Sequence, residues 1–208
     1  YRLLGPTRFG RYTFLMSLFM LFMMFVNSGV ADGVRKYLAE DREAPAWDEH
    51  VIGFYLRLAV GLAAAGAFVL FLAVESGVVV AVLGPTFVPY FYLLAVLVVV
   101  AQFRAYVRRT LMGFGLERYS EPLNLLKKVS FATVAIGLVY LGYGVWGVLV
   151  GNVVAGVLVV ALGSVVVARR ISVADVFKRP PEGFPRRELL QFNTMSVLLV
   201  FLMMSLYH

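Results

Sequence analysis

Long apolar runs separated by short clusters of charged residues are the feature that most limits how this chain folds. Hydrophobic residues make up 61% of the 208 residues and charged residues only 15%. Soluble domains contain roughly 45–50% apolar and about 25% charged residues. A water-soluble globule could not bury this surplus, so the composition indicates a membrane protein and argues against a soluble enzyme.

Six apolar runs approach the length of about 20 residues that a helix needs to cross a bilayer. We predict six transmembrane helices, called spans A to F in chain order. They cover residues 12–30, 51–74, 90–103, 129–141, 145–168 and 189–206. Helices are favoured over barrel strands because the runs are uniformly apolar and do not alternate with polar residues. The predicted fold class is therefore an all-α polytopic transmembrane helix bundle.

The distribution of Lys and Arg predicts how the spans are oriented. The connections after spans A, C and E contain three, six and six Lys or Arg residues, respectively. Three precede span A, and the connections after spans B and D contain none. Short cytoplasmic loops retain basic residues, so the three basic connections are predicted to be cytoplasmic and the residues before span A external. An external start without Met predicts a further upstream crossing, which is favoured over a removed leader.

The connection between spans E and F predicts a division of the chain. Residues 169–188 are rich in charge and contain Pro180, Pro181 and Pro185, which is typical of a linker. We expect residues 1–168 to form an N-terminal helical bundle lacking its first helix. Residues 169–188 would be a cytoplasmic linker, and residues 189–208 the first helix of a truncated second bundle.

Four short motifs support this organisation. They are LGP at 4–6 with FGRY at 9–12, GVADGVRKYLAE at 29–40, LGP at 83–85, and YGVWG at 143–147. In their order, spacing and sidedness they resemble the polysaccharide and lipid-linked oligosaccharide flippases of the multidrug/oligosaccharidyl-lipid/polysaccharide exporter superfamily. Each motif is short and degenerate, but together they extend over most of the chain.

The resemblance implies a transporter of 12–14 helices in two bundles, of which this chain would supply about half. It implies alternating-access transport of a lipid-linked oligosaccharide or polysaccharide precursor across the plasma membrane, and no enzymatic activity. The implied partners are a lipid-linked anionic glycan and membrane lipids. The net charge of +7 is scattered between apolar runs, so nucleic acid is not an expected partner.

Arginines at the cytoplasmic ends of the spans are the first candidate binding residues. Arg57 lies about 9 Å inside span B, where a charge is costly. It would either face a central cavity and bind phosphate, or reach the headgroups or pair with Asp32 or Glu49. Arg104 and Arg108 share one helix face and would line a cationic vestibule or anchor the helix at the interface. Lys127 and Lys128 have the same alternatives with less specificity.

Amides inside apolar spans complete the set of candidates. Asn27, Asn152 and Asn193 would bond either substrate hydroxyls or neighbouring helices. The small-residue stripe of Gly147, Gly151 and Ala155 predicts close helix packing. Four methionines of span A share a broad face that is either ordinary packing or a surface able to repack: Met16, Met20, Met23 and Met24.

The sequence is also compatible with two other functions. A cation-coupled multidrug exporter of the same superfamily would need a deep carboxylate, and none lies at mid-membrane in this sequence. A membrane-embedded glycosyl- or phosphotransferase would need an acidic metal site, for which the loop residues Glu40, Asp41, Glu43, Asp48 and Glu49 are the candidates. The chain contains no Cys and only His50 and His208, so no cofactor or metal site is predicted.

Overall fold

The computed structural model describes residues 4–40, 42 and 44–206, and the side chains of these residues except 197 and 199–206. Arg2, Asp41, Glu43 and His208 lie outside the described residues. Within them the chain forms nine α-helices and no strand, which confirms the all-α prediction. The helices are α1 Pro6–Asn27, α2 Val30–Leu38, α3 Trp47–Glu75, α4 Val78–Leu83, α5 Val88–Gly113, α6 Glu117–Tyr140, α7 Gly144–Ala168, α8 Val173–Phe177 and α9 Arg186–Leu206.

Five of these helices are long and apolar enough to cross a membrane: α1, α3, α5 with the 3-10 turn before it, α6 and α7. They correspond to spans A to E, and the predicted span F corresponds to α9. The predicted boundaries differ most for span D, because α6 begins at Glu117 and not near residue 129. Hydropathy marks only the apolar part of a helix, whereas the backbone hydrogen bonds continue into the charged turns at its end.

Helix α5 lies at the centre of the bundle and packs against α1, α2, α3, α6 and α7. One apolar core, at the end of α5 near Gly113, includes the fully buried Tyr37, Tyr55 and Leu111. A second core, at the opposite end, includes Leu15 and Leu94. Because α5 contributes to both cores, it aligns the surrounding helices along their whole length.

The three basic connections meet at one end of the bundle, which we call the basic end. Contacts between them are Arg109 with Asp32 at 3.4 Å, Arg42 with Glu188 at 2.7 Å, and the Ser172 amide with Glu49 at 3.3 Å. Within the connection after span C, Arg108 pairs with Glu121 at 2.9 Å. At the opposite end, Tyr92 donates a hydrogen bond to Glu75 at 2.6 Å. The structure thus groups the basic connections at one end, and the positive-inside rule predicts that this end is the cytoplasmic one.

The boundary between α1 and α2 is a sharp bend at Ser28 and Gly29, which have positive φ angles of 39° and 74°. Span A was predicted to continue to Val30, but α1 ends at Asn27. Glycine is required at position 29 for a second reason. A β-carbon there would lie 3.2 Å from the Asn193 α-carbon of α9.

Helix α9 docks on the basic end through polar and aromatic contacts. The ring of Phe192 packs edge-on against Tyr37 with centroids 5.8 Å apart. Arg42 bonds Glu188 at 2.7 Å and thereby connects the segment before α3 to the start of α9. The hydrogen bond from Arg42 holds the pKa of the Glu188 carboxyl below its usual value.

Helix α7 uses glycines to approach its neighbours. β-carbons at Gly147 and Gly151 would collide with α6, and β-carbons at Gly156 and Gly163 would collide with Val100 and Val107 of α5. The predicted role of Gly147 and Gly151 in close packing is therefore confirmed. In lipid, where apolar surfaces gain little from mutual burial, such close approach is a main source of helix association.

We predict that Gly151→Ala destabilises the α6–α7 pair. The new β-carbon would lie 2.9 Å from the Ala135 amide nitrogen, a backbone atom that cannot move aside without separating the helices. Overpacking of this kind costs about 1–3 kcal/mol, so the thermal midpoint in detergent should fall by several degrees. Gly137→Ala on α6 is the control. Its β-carbon meets nothing within 4 Å, so it should be neutral or slightly stabilising. Equal midpoints for both variants would contradict the proposed packing.

We predict that acid weakens the docking of α9. Because the pKa of Glu188 is lowered in the folded protein, its contribution is present at neutral pH and is lost as the pH falls through that lowered value. The pair is partly exposed, so the effect is at most about 1 kcal/mol. Amide protection factors at the start of α9, which are corrected for the intrinsic exchange rate at each pH, should fall more at low pH in the parent than in Glu188→Gln. Glu182→Gln, in the exposed linker, should behave like the parent. Identical pH profiles for the parent and Glu188→Gln would exclude this role.

Candidate functional site

A cleft of about 390 Å³ opens between α1, α5, α6 and α7, and we call it the central cleft. Its polar lining residues are Asn27, Arg104, Lys127 and Asn152, one from each helix. Its apolar lining includes all four methionines of the shared α1 face: Met16, Met20, Met23 and Met24. The structure thus brings together three of the six predicted site residues and the methionine face.

The charge of the central cleft comes from Arg104 and Lys127. Arg104 lies nine residues before the end of α5, and Lys127 lies ten residues after the start of α6. At 1.5 Å per residue, both are about 14–15 Å from the basic end of their helices, so the two cations lie at similar depth. Both side chains are half-buried, and among the described residues no Asp or Glu lines the cleft.

Two like charges in a partly desolvated cleft without a carboxylate repel each other and favour an anion between them. The Lys127 ammonium also lies 5.5 Å from the ring centroid of Phe131, its aromatic neighbour on α6. Such a contact stabilises a cation but leaves its hydrogen-bond donors available. The arrangement therefore suits a phosphate-bearing ligand.

The two amides of the central cleft offer hydrogen bonds to a polar ligand. The Asn27 side-chain oxygen accepts a hydrogen bond from the Ala31 amide at 3.4 Å, and this bond bridges the bend between α1 and α2. The side-chain NH₂ group of Asn27 remains available to a ligand. Asn152 has no hydrogen-bond partner among the described residues. It lies in α7, sixteen residues before Ala168, and therefore farther from the basic end than the two cations.

Arg108 lies beside the central cleft and not in it. It donates a hydrogen bond to Glu121 at 2.9 Å and so connects α5 to α6. A side cavity of about 10 Å³ separates it from Ser120. Among the described residues the Arg108 Nε and the Ser120 hydroxyl are buried without a hydrogen-bond partner, and this space is about the size of one water molecule. Arg108 thus holds the two helices that carry the cleft cations.

Asn193 lies where α2, α3 and α9 meet, away from the central cleft. It is 6% exposed, and its side-chain oxygen accepts a hydrogen bond from the Tyr55 hydroxyl at 3.4 Å. Its Nδ2 is buried and has no hydrogen-bond partner in the part of the chain that the structure describes. This geometry corresponds to the helix-to-helix hydrogen bond that was one of its two predicted roles.

Arg57 also does not line the central cleft. Its guanidinium donates hydrogen bonds to the carbonyl oxygens of Val176, Phe177 and Lys178, at 3.3, 3.2 and 3.3 Å, where α8 ends. Of the two carboxylates considered as its partners, Asp32 instead pairs with Arg109, and Glu49 accepts a hydrogen bond from the Ser172 amide.

Gly53, one turn before Arg57, allows α8 to reach α3. A β-carbon at this position would overlap the Val176 carbonyl oxygen. The close approach brings the end of α8 within reach of the Arg57 guanidinium. Together these residues fix the first part of the linker to the bundle.

Lys127 is the site residue that the sequence indicated least clearly. It adjoins Lys128, and the pair resembled interfacial anchors in front of span D. Because α6 begins at Glu117, Lys127 lies three turns inside a helix, half-buried, while Lys128 is exposed. A helical reading of residues 117–128 would have placed the two lysines on different faces.

The comparisons with known proteins identify the chain. A family model described as "Polysaccharide biosynthesis protein" matches residues 1–207. The chain belongs to this family. A search of curated proteins and a search of solved structures returned no match. The family comprises membrane transporters and flippases of the superfamily that the motifs predicted, so the chain is a multi-pass transport protein and not an enzyme.

Of the five acidic loop residues considered for a metal-dependent transferase, Asp41 and Glu43 lie outside the described residues. In the described part of the chain, no group of three or more His, Asp or Glu residues could hold a metal ion. Glu40 is paired with Lys36 and Arg42.

We predict that Gly53→Ala detaches α8 from α3. Its β-carbon would overlap a backbone oxygen, so the linker must move and Arg57 loses its carbonyl partners. Limited proteolysis should cut residues 169–185 faster than in the parent. Gly61→Ala, in the same helix with nothing within 4 Å of its β-carbon, should leave the cutting rate unchanged. Unchanged cutting in Gly53→Ala would show that α8 does not dock there.

Proposed function

We propose that this chain forms the cargo-binding part of a flippase that moves a lipid-linked anionic glycan across the plasma membrane by alternating access. The observation that carries this proposal is the pairing of Arg104 and Lys127 at one depth of the central cleft, with no carboxylate in the described lining. Membership of the polysaccharide biosynthesis family supports transport of a polysaccharide precursor in general.

Arg104 and Lys127 would bind the phosphate groups that join glycan and lipid. The planar Arg104 guanidinium can donate two parallel hydrogen bonds to phosphate oxygens, while the Lys127 ammonium acts as a point charge. The concentration of basic residues at the same end of the bundle would attract the anion from the cytoplasm before it enters the cleft. This places the loading step on the cytoplasmic side.

Asn27 and Asn152 would bond the hydroxyl groups of the glycan. Both amides line the same cleft as Arg104 and Lys127, so a cargo held by the two cations would also meet the amides. The four methionines provide an apolar, flexible wall that can adapt to sugars of different shape. The lipid tail need not enter the cleft, because it can remain in the bilayer.

The proposed mechanism uses the division of the chain into a first bundle, a linker and the start of a second bundle. Residues 1–168 would form one bundle, residues 169–188 the cytoplasmic linker, and α9 the beginning of a second bundle. Rocking of the two bundles about the linker would open the central cleft to alternate sides of the membrane. We propose Arg57 and Asn193 as residues of this junction, and Arg108 as a support for the cleft.

A cation-coupled drug exporter of the same superfamily is the second candidate. Its cargo would be cationic or neutral, and its coupling ion would need a carboxylate within the membrane. The cationic lining of the central cleft, without Asp or Glu in the described part, favours an anionic cargo instead.

We predict that Arg104→Gln and Lys127→Gln each slow flipping of a polyprenyl-diphosphate oligosaccharide by tenfold or more. A hydrogen bond to a charged group contributes about 1.5–3 kcal/mol, which corresponds to roughly a 10- to 100-fold change in binding. The assay uses the full-length protein in proteoliposomes. Arg104→Lys should recover part of the rate, because the charge remains while the paired hydrogen bonds are lost.

Lys128→Gln is the matched control, since this exposed lysine adjoins Lys127 but does not line the cleft. It should flip at the parental rate. All variants are first compared by thermal midpoint, so that loss of fold is separated from loss of transport. Parental rates in both Arg104→Gln and Lys127→Gln, with normal folding, would refute the proposed cargo site.

A further inference from the structure

A second cleft, of about 520 Å³, lies at the basic end between α3, the linker and α9. We call it the linker cleft. Three arginines line it, each from a different segment: Arg57 from α3, Arg179 from the linker and Arg186 from the start of α9. Residues that are distant in the chain thus direct three guanidinium groups to one place, separate from the central cleft.

The positive charge of the linker cleft is not neutralised by the protein. Among the described residues, Arg179 and Arg186 have no ion pair, and Arg57 is bonded only to carbonyl oxygens. Asp175 pairs with Lys178 and Glu188 pairs with Arg42, so neither of these two carboxylates neutralises the three arginines. Three charges without a counter-ion favour a bound anion.

The remaining lining of the linker cleft is apolar. Phe54 and Leu58 lie on α3 beside Arg57, and Leu190 lies on α9 one turn after Arg186. Leu190 is 47% exposed, and Phe54 and Leu58 are half-buried. An anion site that adjoins exposed apolar side chains matches a molecule with a charged head and a hydrocarbon tail.

The position of the linker cleft agrees with such a molecule. The polar linker meets the membrane-spanning α3 here. Phe184 of the linker packs against Trp47 and Phe54, with ring centroids 5.7 and 6.3 Å apart. We therefore expect the cleft to lie at the level of the phosphate groups of the cytoplasmic leaflet, where anionic lipids accumulate next to clustered Arg residues.

We propose that the linker cleft binds an anionic phospholipid of the cytoplasmic leaflet. Arg57, Arg179 and Arg186 bind its phosphate group, and an acyl chain lies along Phe54, Leu58 and Leu190. The bound lipid joins α3, the linker and α9, so it holds the linker against the first bundle. This lipid is a structural partner and not the cargo, which uses Arg104 and Lys127 in the central cleft.

The test measures lipid binding to the delipidated full-length protein in detergent. Phosphatidylglycerol is titrated and counted by native mass spectrometry, with phosphatidylcholine as the neutral lipid. The parent should bind phosphatidylglycerol and show a higher thermal midpoint, and phosphatidylcholine should do neither. The double variant Arg179→Gln/Arg186→Gln should bind phosphatidylglycerol about fivefold more weakly or worse, because two of three phosphate ligands are lost.

Arg187→Gln is the matched control, because Arg187 is exposed, adjoins Arg186 and does not line the linker cleft. It should keep the parental affinity. Arg57→Gln is measured separately, since its carbonyl bonds also support α8. Unchanged affinity in the double variant, or an equal loss in Arg187→Gln, would overturn the proposal.

Two competitors distinguish the source of the phosphate. Inorganic phosphate should displace phosphatidylglycerol only at far higher concentration, because it lacks the acyl chain; displacement at similar concentration would indicate a free-anion site. A polyprenyl phosphate should compete no better than phosphatidylglycerol itself. If the polyprenyl phosphate displaces phosphatidylglycerol at a lower concentration than this, and the double variant Arg179→Gln/Arg186→Gln no longer binds it, the linker cleft is a cargo site. That result would overturn the proposal. The flipping rate of Arg104→Gln tests the proposed cargo site in the central cleft, and its outcome does not depend on lipid binding in the linker cleft.

Discussion

Hydrocarbon solvates neither charges nor backbone polar groups, and the organisation of this chain follows from that constraint. The backbone is satisfied inside helices, and nearly all Lys and Arg residues are found at the ends of those helices. Arg57, Arg104, Lys127 and Lys128 lie well inside their helices, and of these four Arg104 and Lys127 are half-buried. A charge at such depth persists when a cleft, a counter-ion or a cargo compensates its desolvation. The central cleft supplies the space, and an anionic cargo would supply the charge.

The hydrocarbon of the bilayer also explains why small residues determine how the helices pack. Where apolar burial contributes little, helices associate through close contact, and the glycines of α7 allow it against α5 and α6. Helix α1 is different, since its central part consists mainly of Phe, Leu and Met, and only Leu15 and Val26 are buried. It packs against α3, α5 and α7, while α6 packs against α5 and α7. The space left between α1 and α6 is the central cleft, and the large methionine side chains border it.

The sequence was sufficient to predict the fold class, the helical runs and the grouping of the basic loops, because each depends on local composition. It also predicted Asn27, Arg104 and Asn152 as site candidates, since a polar residue in an apolar run is conspicuous. It could not separate Lys127 from Lys128, because that distinction depends on where α6 begins. It could not show that Arg57 bonds the end of α8 or that Asn193 bonds Tyr55. Those partners are more than 100 residues away, and hydropathy contains no information about them.

We propose that the two clefts divide the basic residues at one end of the bundle between cargo binding and lipid binding. The central cleft lies entirely within residues 16–156, so its shape depends on the packing of α1, α5, α6 and α7. The linker cleft is formed by α3 together with the linker and α9, so it exists only while the linker is docked. A lipid bound there stabilises the docked arrangement, because any ligand that prefers one conformation increases its population. If the linker is the pivot of the two bundles, the anionic lipid content of the cytoplasmic leaflet would influence how readily they rock, without any contact with the cargo.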